Sequence, residues 1–422
     1  MNRLRRESRR RHGPLRLVAR IGPEIVAAAS GNDPTNVGTA TAVGASTAYQ
    51  LPWAAILVGP VLAVVQAIAA QLGVVTRTDL QTMTLKRYGP RVAGVLLVSV
   101  VVVNVVTISA DLQAGAAGIG LLAGVDPRWP VLPLGLALAG LLLIGKYDEV
   151  VAVLRYLLLG FLAFVVAAVL AQPDWPSLLK GSLMPALPLR ASTLAGALAL
   201  LGTTLTSYVY VRETIERGIE DSLDGSPLDS RLARARVGTV AGAVLTAAVL
   251  WSMLVTAAAT LGRRHQTAAT ARQAAQELRP LAGSLATDLF AVGLITSAVV
   301  ALPVLMATTA YVIGAQFNWR RGLSEGISHA RRFYAVLGAS IGLAAAIALA
   351  GVSVISMLVV ASLIAGFATP LGLVVLVRLA RDPAVMGDHR ITARLAGAGW
   401  AVTVIVGGLG VLYALCAAAG RF

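Results

Sequence analysis

Apolar residues fall in long runs along the 422-residue chain, separated by short polar segments. Runs of about 18 or more apolar residues with few charges read as membrane-spanning helices. Eleven spans are predicted, over about 21–46, 52–75, 92–122, 131–145, 150–171, 192–211, 236–261, 284–316, 333–352, 354–377 and 395–418. The fourth is short, and the eighth is long enough to tilt or project beyond the bilayer. No polar segment is long enough to fold as a soluble domain. The chain therefore reads as an all-α, polytopic membrane protein: a basic tail over 1–20, then one transmembrane domain over 21–418.

Composition agrees with a lipid solvent. Hydrophobic residues make up 57% and charged residues 13% of the chain, against about 45–50% and about 25% in soluble domains. The net charge of +15 would suggest nucleic acid in a soluble protein. Here the basic residues lie in loops between apolar runs, so they set orientation and imply no nucleic-acid partner. With the N-terminus cytoplasmic, about 27 Lys and Arg fall inside and about 8 outside. The inside set includes Arg77, Lys86, Arg87, Arg231, Arg320, Arg321 and Arg381; the outside set includes Arg263 and Arg264. An odd number of spans then puts the C-terminus outside a cell inner membrane. The N-terminus resembles a signal peptide's basic region, but the many spans that follow make a cytoplasmic tail the simpler reading. The one cysteine, Cys416, is read as a packing residue.

Enzyme chemistry finds no foothold. The sequence has no Walker loop, HExxH or GxSxG, and His12, His265, His329 and His389 all lie in loops. An intramembrane histidine metal site is excluded on that ground, and ATP cannot drive transport within this chain.

Two segments inside apolar runs carry candidate chemistry. The first is Ser30-Gly31-Asn32-Asp33-Pro34-Thr35-Asn36-Val37-Gly38 in span 1. Pro34 lacks an N–H and pushes Asp33 out of helical geometry, while Gly31 and Gly38 loosen the flanks. A break there frees carbonyls that lipid cannot satisfy, so it persists only beside a cavity or other protein. Asp33 adds a carboxylate and Asn36 an amide oxygen, which together suit a cation. The second segment is Leu201-Gly202-Thr203-Thr204-Leu205-Thr206-Ser207-Tyr208 in span 6. Gly202 and the hydroxyl residues weaken the helix there, although hydroxyls also bond back to their own helix. Interrupted helices at matching positions in two halves point to a transporter site. Spans 1–5 (about 21–171) and 6–10 (about 192–377) then form inverted repeats, with 395–418 an addition.

Other intramembrane charges are weighed by position. Asp111 in span 3 reads as a proton relay or as the partner of a cation such as an arginine on another helix. Arg212, Glu213 and Glu216 read as interfacial. Asp148 and Glu149 fall in a loop with no assigned role.

At these residues the chain resembles the NRAMP family of divalent-metal transporters. The family's first-helix motif Asp-Pro-Gly-Asn reads Asp33-Pro34-Thr35-Asn36 here. Gly73-Val74-Val75-Thr76-Arg77-Thr78-Asp79-Leu80 is similar to its helix-2 end, and Leu289-Phe290-Ala291-Val292-Gly293-Leu294 to its helix 8. The resemblance covers roughly 20–380 and implies a LeuT-like fold with broken helices 1 and 6. It also implies that Asp33, Asn36, the Thr203 carbonyl and the Thr206 hydroxyl hold the ion. The family's Met-Pro-His in helix 6 is replaced by Thr206-Ser207-Tyr208, so Tyr208 takes the place of the histidine linked to proton movement. Its second helix-3 acid is replaced by Ala114. Gly202-Thr203-Thr204 and Ala110-Asp111-Leu112 look more like a related branch associated with Mg²⁺, a branch that lacks the asparagine retained here as Asn36.

The leading expectation is a secondary transporter of a divalent cation of the Mn, Mg or Fe class, working by alternating access. The metal is cargo, no cofactor is expected, and the other partners are membrane lipids. The alternative is a transporter of an amino acid or other organic solute on the same fold, with Asp33 binding an ammonium group or a coupling Na⁺. A non-transporting membrane sensor or scaffold is a third class, disfavoured because no signalling domain is attached.

Overall fold

A computed structural model describes residues 33–144, 161–218, 226–262, 273, 275, 285–323 and 326–419. The expected tail over 1–20, Gly31, much of the fifth span, Asp148, Glu149, Arg263 and Arg264 lie outside these residues. The described residues form helices and turns, with no strand among them. The helices are α1 Pro34–Thr47, α2 Pro52–Thr76, α3 Leu80–Ala123, α4 Val131–Ile144, α5 Phe161–Leu170, α6 Trp175–Leu183, α7 Ala191–Thr204 and α8 Ser207–Gly218. They continue as α9 Leu228–Thr260, α10 Leu285–Gln316, α11 Arg331–Ala348, α12 Val354–Arg381, α13 Pro383–Met386 and α14 Ala393–Ala418.

Among the described residues eight helices are long and apolar enough to cross a membrane, the α7–α8 pair taken as one. The other three expected spans correspond to the shorter helices α1, α4 and α5. The expected count of eleven extends beyond the described residues.

Local sequence explains the helix ends. Pro34 occupies the first turn of α1, where a missing N–H costs nothing, and extended Asp33 caps it. Arg77 closes α2 in the left-handed region at φ 51°. Asp79 then caps α3 by accepting from the Thr82 amide at 2.8 Å. The residues before 92 were expected to be loop; they form the first turns of α3. The helix is interrupted there at Gly89, whose φ of 79° ahead of Pro90 breaks the hydrogen-bond ladder.

Packing divides the helices into two groups. In the first, α9 packs on α1 and α2, α8 on α2, and α7 on α1. In the second, α3 packs on α10, α11 and α4. Helix α12 touches both groups and carries α14 on its outer side. Small residues let backbones approach: a Cβ at Gly44 of α1 would sit 2.9 Å from the Ala257 methyl of α9. Val166, Val240, Leu136 and Val404 stand exposed on the outside, as a lipid-facing surface requires.

Candidate functional site

The site is assembled where α1 begins and where α7 gives way to α8. Asp33, Asn36, Thr203, Thr206, Asp111 and Tyr208 are all buried there. Each donor of the first turn of α1 is accounted for. Pro34 has none. The Thr35 amide donates to Asp111 Oδ1 at 3.0 Å, and the Thr35 hydroxyl to the same oxygen at 2.5 Å. The Asn36 amide donates to Asp33 Oδ1 at 2.8 Å. Two carboxylates from different helices therefore flank one helical turn.

The break in the sixth span lies at Leu205–Thr206, between α7 and α8. Leu205 departs from helical geometry at φ −104°, ψ 23°. Its carbonyl lies 2.8 Å from the Thr369 hydroxyl of α12, whose one hydrogen is shared with the Ala365 carbonyl of the same helix at 2.7 Å. The Thr206 hydroxyl reaches the Thr203 carbonyl at 3.4 Å, a long and weak bond. Just past the break, the Tyr208 hydroxyl donates to Asp33 Oδ2 at 3.1 Å. That bond joins the start of α1 directly to the start of α8.

Among the described residues, several buried oxygens here have no hydrogen-bond partner: Asp111 Oδ2, Thr203 Oγ1 and Ser207 Oγ. Buried polar atoms in folded proteins nearly always have partners, so these lone pairs mark where a donor or a cation belongs. No group of three or more His, Cys, Asp or Glu converges among the described residues. The available donors are oxygens, which suits hard cations better than soft ones.

Two expectations are corrected. Gly202 is not at the break but inside α7, where a Cβ would overlap the Ser362 carbonyl and lie 2.7 Å from the Gly366 Cα. It is the close approach of α12 that requires glycine. Glu213, expected at the inner interface, is buried within the protein and paired with Arg217 at 3.0 Å. Its neighbours Arg212 and Glu216 pair at 3.4 Å in a half-buried setting. Among the described residues Asp111 is paired with no arginine; the Thr35 amide and hydroxyl are its partners.

Sequence reading gave no role to Thr35, Thr369, Thr39 or Ser362. Thr39 and Ser362 bridge α1 and α12 through hydroxyls 2.6 Å apart. Their signal was faint, since a threonine inside an apolar run most often bonds back to its own helix. At the end of the bundle that carries Thr76–Asp79, a second set of contacts closes the structure. Asp79 accepts from Arg321 at 2.9 Å, and the Leu80 amide donates to the Thr214 hydroxyl at 3.0 Å.

The sequence matches the Nramp family, described as natural resistance-associated macrophage protein-like, across residues 24–415. The chain belongs to this family. A divalent metal cation transporter MntH of Aeromonas hydrophila is 27% identical over 397 residues, covering 92% of this chain and 93% of the relative. The MntH of Deinococcus radiodurans is 27% identical over 400 residues, covering 93% and 89%. A crystal structure of the Eremococcus coleocola manganese transporter superposes with a TM-score of 0.76 at 18% identity, covering 95% and 87%. The nucleobase-cation symporter Mhp1 superposes at 0.59 with 13% identity, covering 93% and 90%. These likenesses show the fold. The chain is a multi-pass, LeuT-like membrane protein of the Nramp family.

Proposed function

We propose that the chain is a secondary transporter carrying a divalent metal cation across the membrane by alternating access. The observation that carries this reading is the Asp33 carboxylate, fully buried at the start of α1 and tied by Tyr208 to the start of α8. Burying a carboxylate in a bilayer is costly and persists where function demands it. Membership of the Nramp family and the names of both MntH relatives support metal as cargo over an organic solute.

Asp33 and Asn36 serve as ligands, with the Thr203 carbonyl and the Thr206 hydroxyl completing an oxygen shell for Mn²⁺ or Mg²⁺. Asp111 supplies a second carboxylate and holds α1 through Thr35. Protons coupled to the cation would move through Asp111 or Tyr208, the two ionisable neighbours of this turn. Helices α1, α2 and α7–α9 move against α3, α4, α10 and α11 to expose the site to each side. The excess of Lys and Arg in alternate loops favours a cytoplasmic N-terminus, an external C-terminus and an inner-membrane location.

The test is uptake by the full chain in liposomes. Mn²⁺, Mg²⁺ and Ca²⁺ are offered separately, with Asp33→Ala beside the unchanged protein. Flux of at least one ion, abolished by the substitution, is expected. Flux that ignores the substitution would remove Asp33 from the pathway, and flux of an amino compound alone would favour the organic-solute reading.

A further inference from the structure

A basic cleft shares no lining residue with the proposed cation site. It holds about 660 Å³ between the first segment of α3, the end of α12 and the start of α14. Its polar lining consists of Arg87, Tyr88, Arg378, Arg381, Asp382 and Trp400.

Positive charge there is in excess. Asp382 is the one acid of the lining, and both its oxygens are engaged: Oδ2 accepts from Arg87 Nε and Oδ1 from the Ala384 amide at 2.9 Å. Arg87 uses only its Nε, leaving both terminal nitrogens of the guanidinium. Arg381 places Nη1 on the Ile391 carbonyl at 3.1 Å. Arg378 is exposed and makes no hydrogen bond or ion pair among the described residues. Ala393, the first residue of the 26-residue helix α14, also lines the cleft. The positive end of that helix adds to the same field.

The cleft opens onto an apolar track. Arg378 and Arg381 stand in the last turn of apolar α12. Trp400 sits two turns into α14, and tryptophan favours the boundary between headgroups and acyl chains. From there α14 exposes Val404 (69%), Val411 and Leu415. Their spacings of four and seven residues keep them on one face. A molecule anchored by a negative head in the cleft would find a continuous apolar strip for its tail. A free anion would have no use for that strip.

We propose that this cleft binds an anionic glycerophospholipid, with its phosphate on Arg378, Arg87 and Arg381 and an acyl chain along the exposed face of α14. The lipid phosphate takes up the donors that Asp382 leaves unused. It thereby bears on the Arg87–Asp382 bridge, which ties the first segment of α3 to the end of α12.

The test uses full-length protein in detergent micelles, titrated with phosphatidylglycerol or phosphatidylcholine brominated on the acyl chains. Quenching of Trp400 is isolated by subtracting the Trp400→Phe variant. Phosphatidylglycerol should quench at several-fold lower concentration than phosphatidylcholine. Arg378→Gln should weaken the phosphatidylglycerol effect about fivefold, the size expected for one basic residue at an anionic surface, and Arg378→Lys should retain it. Equal quenching by both lipids would overturn the proposal, as would a preference untouched by Arg378→Gln or lost in Arg378→Lys. Displacement of the lipid by excess inorganic phosphate would assign the cleft to a soluble anion instead.

Discussion

Tyr208 donates its phenolic hydrogen to Oδ2 of Asp33 across 3.1 Å, from the second residue of α8 to the cap of α1. The bond spans 175 residues of sequence and lies among side chains closed to solvent. On the proposed reading, a cation at Oδ2 either shares that oxygen with the phenol or displaces it.

Tyr208→Phe tests displacement. Hydrogen bonds to charged groups contribute about 1.5–3 kcal/mol, so apparent affinity for Mn²⁺ should rise by about tenfold or more. Isothermal titration of the purified variant measures it. Unchanged or weaker binding would show that the phenol helps hold the ion rather than competing with it.

Asp111 offers a division of roles. Asp111→Asn keeps Oδ1 as acceptor for Thr35, so the fold should persist while cation flux falls. Asp111→Ala strands the buried Thr35 hydroxyl and amide and should cost about 1–3 kcal/mol of stability. Thermal unfolding in detergent beside liposome uptake separates the two; equal unfolding temperatures for both variants would contradict the capping role.

Gly202→Ala tests helix packing without touching the ligands. The added methyl overlaps the Ser362 carbonyl, and overpacking of this kind costs about 1–3 kcal/mol. A lower unfolding temperature is expected, whereas an unchanged one would mean that α12 retreats freely.

Arg321→Gln leaves the nearly buried Asp79 carboxylate without its cation, though with its bonds to Thr82. Removing one member of a buried pair costs about 3–5 kcal/mol. Because Arg321 is itself 16% exposed, the lower end of that range is expected. Arg321→Lys should recover part of the loss; a stability equal to that of the parent protein in Arg321→Gln would mean that Thr82 alone satisfies Asp79.

The exposed pair Arg87–Asp382 carries a pH signature. Arg87, together with the Ala384 amide, holds the Asp382 carboxyl below its ordinary value of 3.8. A depressed carboxyl stabilises the fold above that ordinary value, and the contribution fades as pH falls through the lowered one. Asp382→Asn should therefore reduce stability at neutral pH and converge with the parent protein in strong acid. A difference that persists at the acid end would point to packing instead.

Much of this architecture was legible in the sequence, because apolar run length responds directly to lipid. The helix start at Asp33–Pro34 was visible since proline leaves a local mark. The break at Leu205–Thr206 falls inside the expected segment Leu201–Tyr208, although Gly202, named as its breaker, lies within α7. Its cause is tertiary: Thr369 of α12 holds the Leu205 carbonyl, and no neighbour in sequence reveals that. The burial of Glu213 was hidden for a similar reason. Its charge suggested water, while its partner Arg217 lies one turn away and travels with it into the interior. Thr35 was passed over because its donors matter only through Asp111, 76 positions along the chain.

The first turn of α1 has a consequence for how cargo is released. Both oxygens of Asp33 already hold hydrogens from the protein, one from a backbone amide and one from a phenol. On the proposed reading, an arriving ion meets a carboxylate already partly satisfied, and shares its oxygens with these donors or displaces them. Either way the net gain is smaller than a bare carboxylate would give. A carrier works by that balance: it must grip firmly enough to shed the ion's water and loosely enough to give the ion up on the far side.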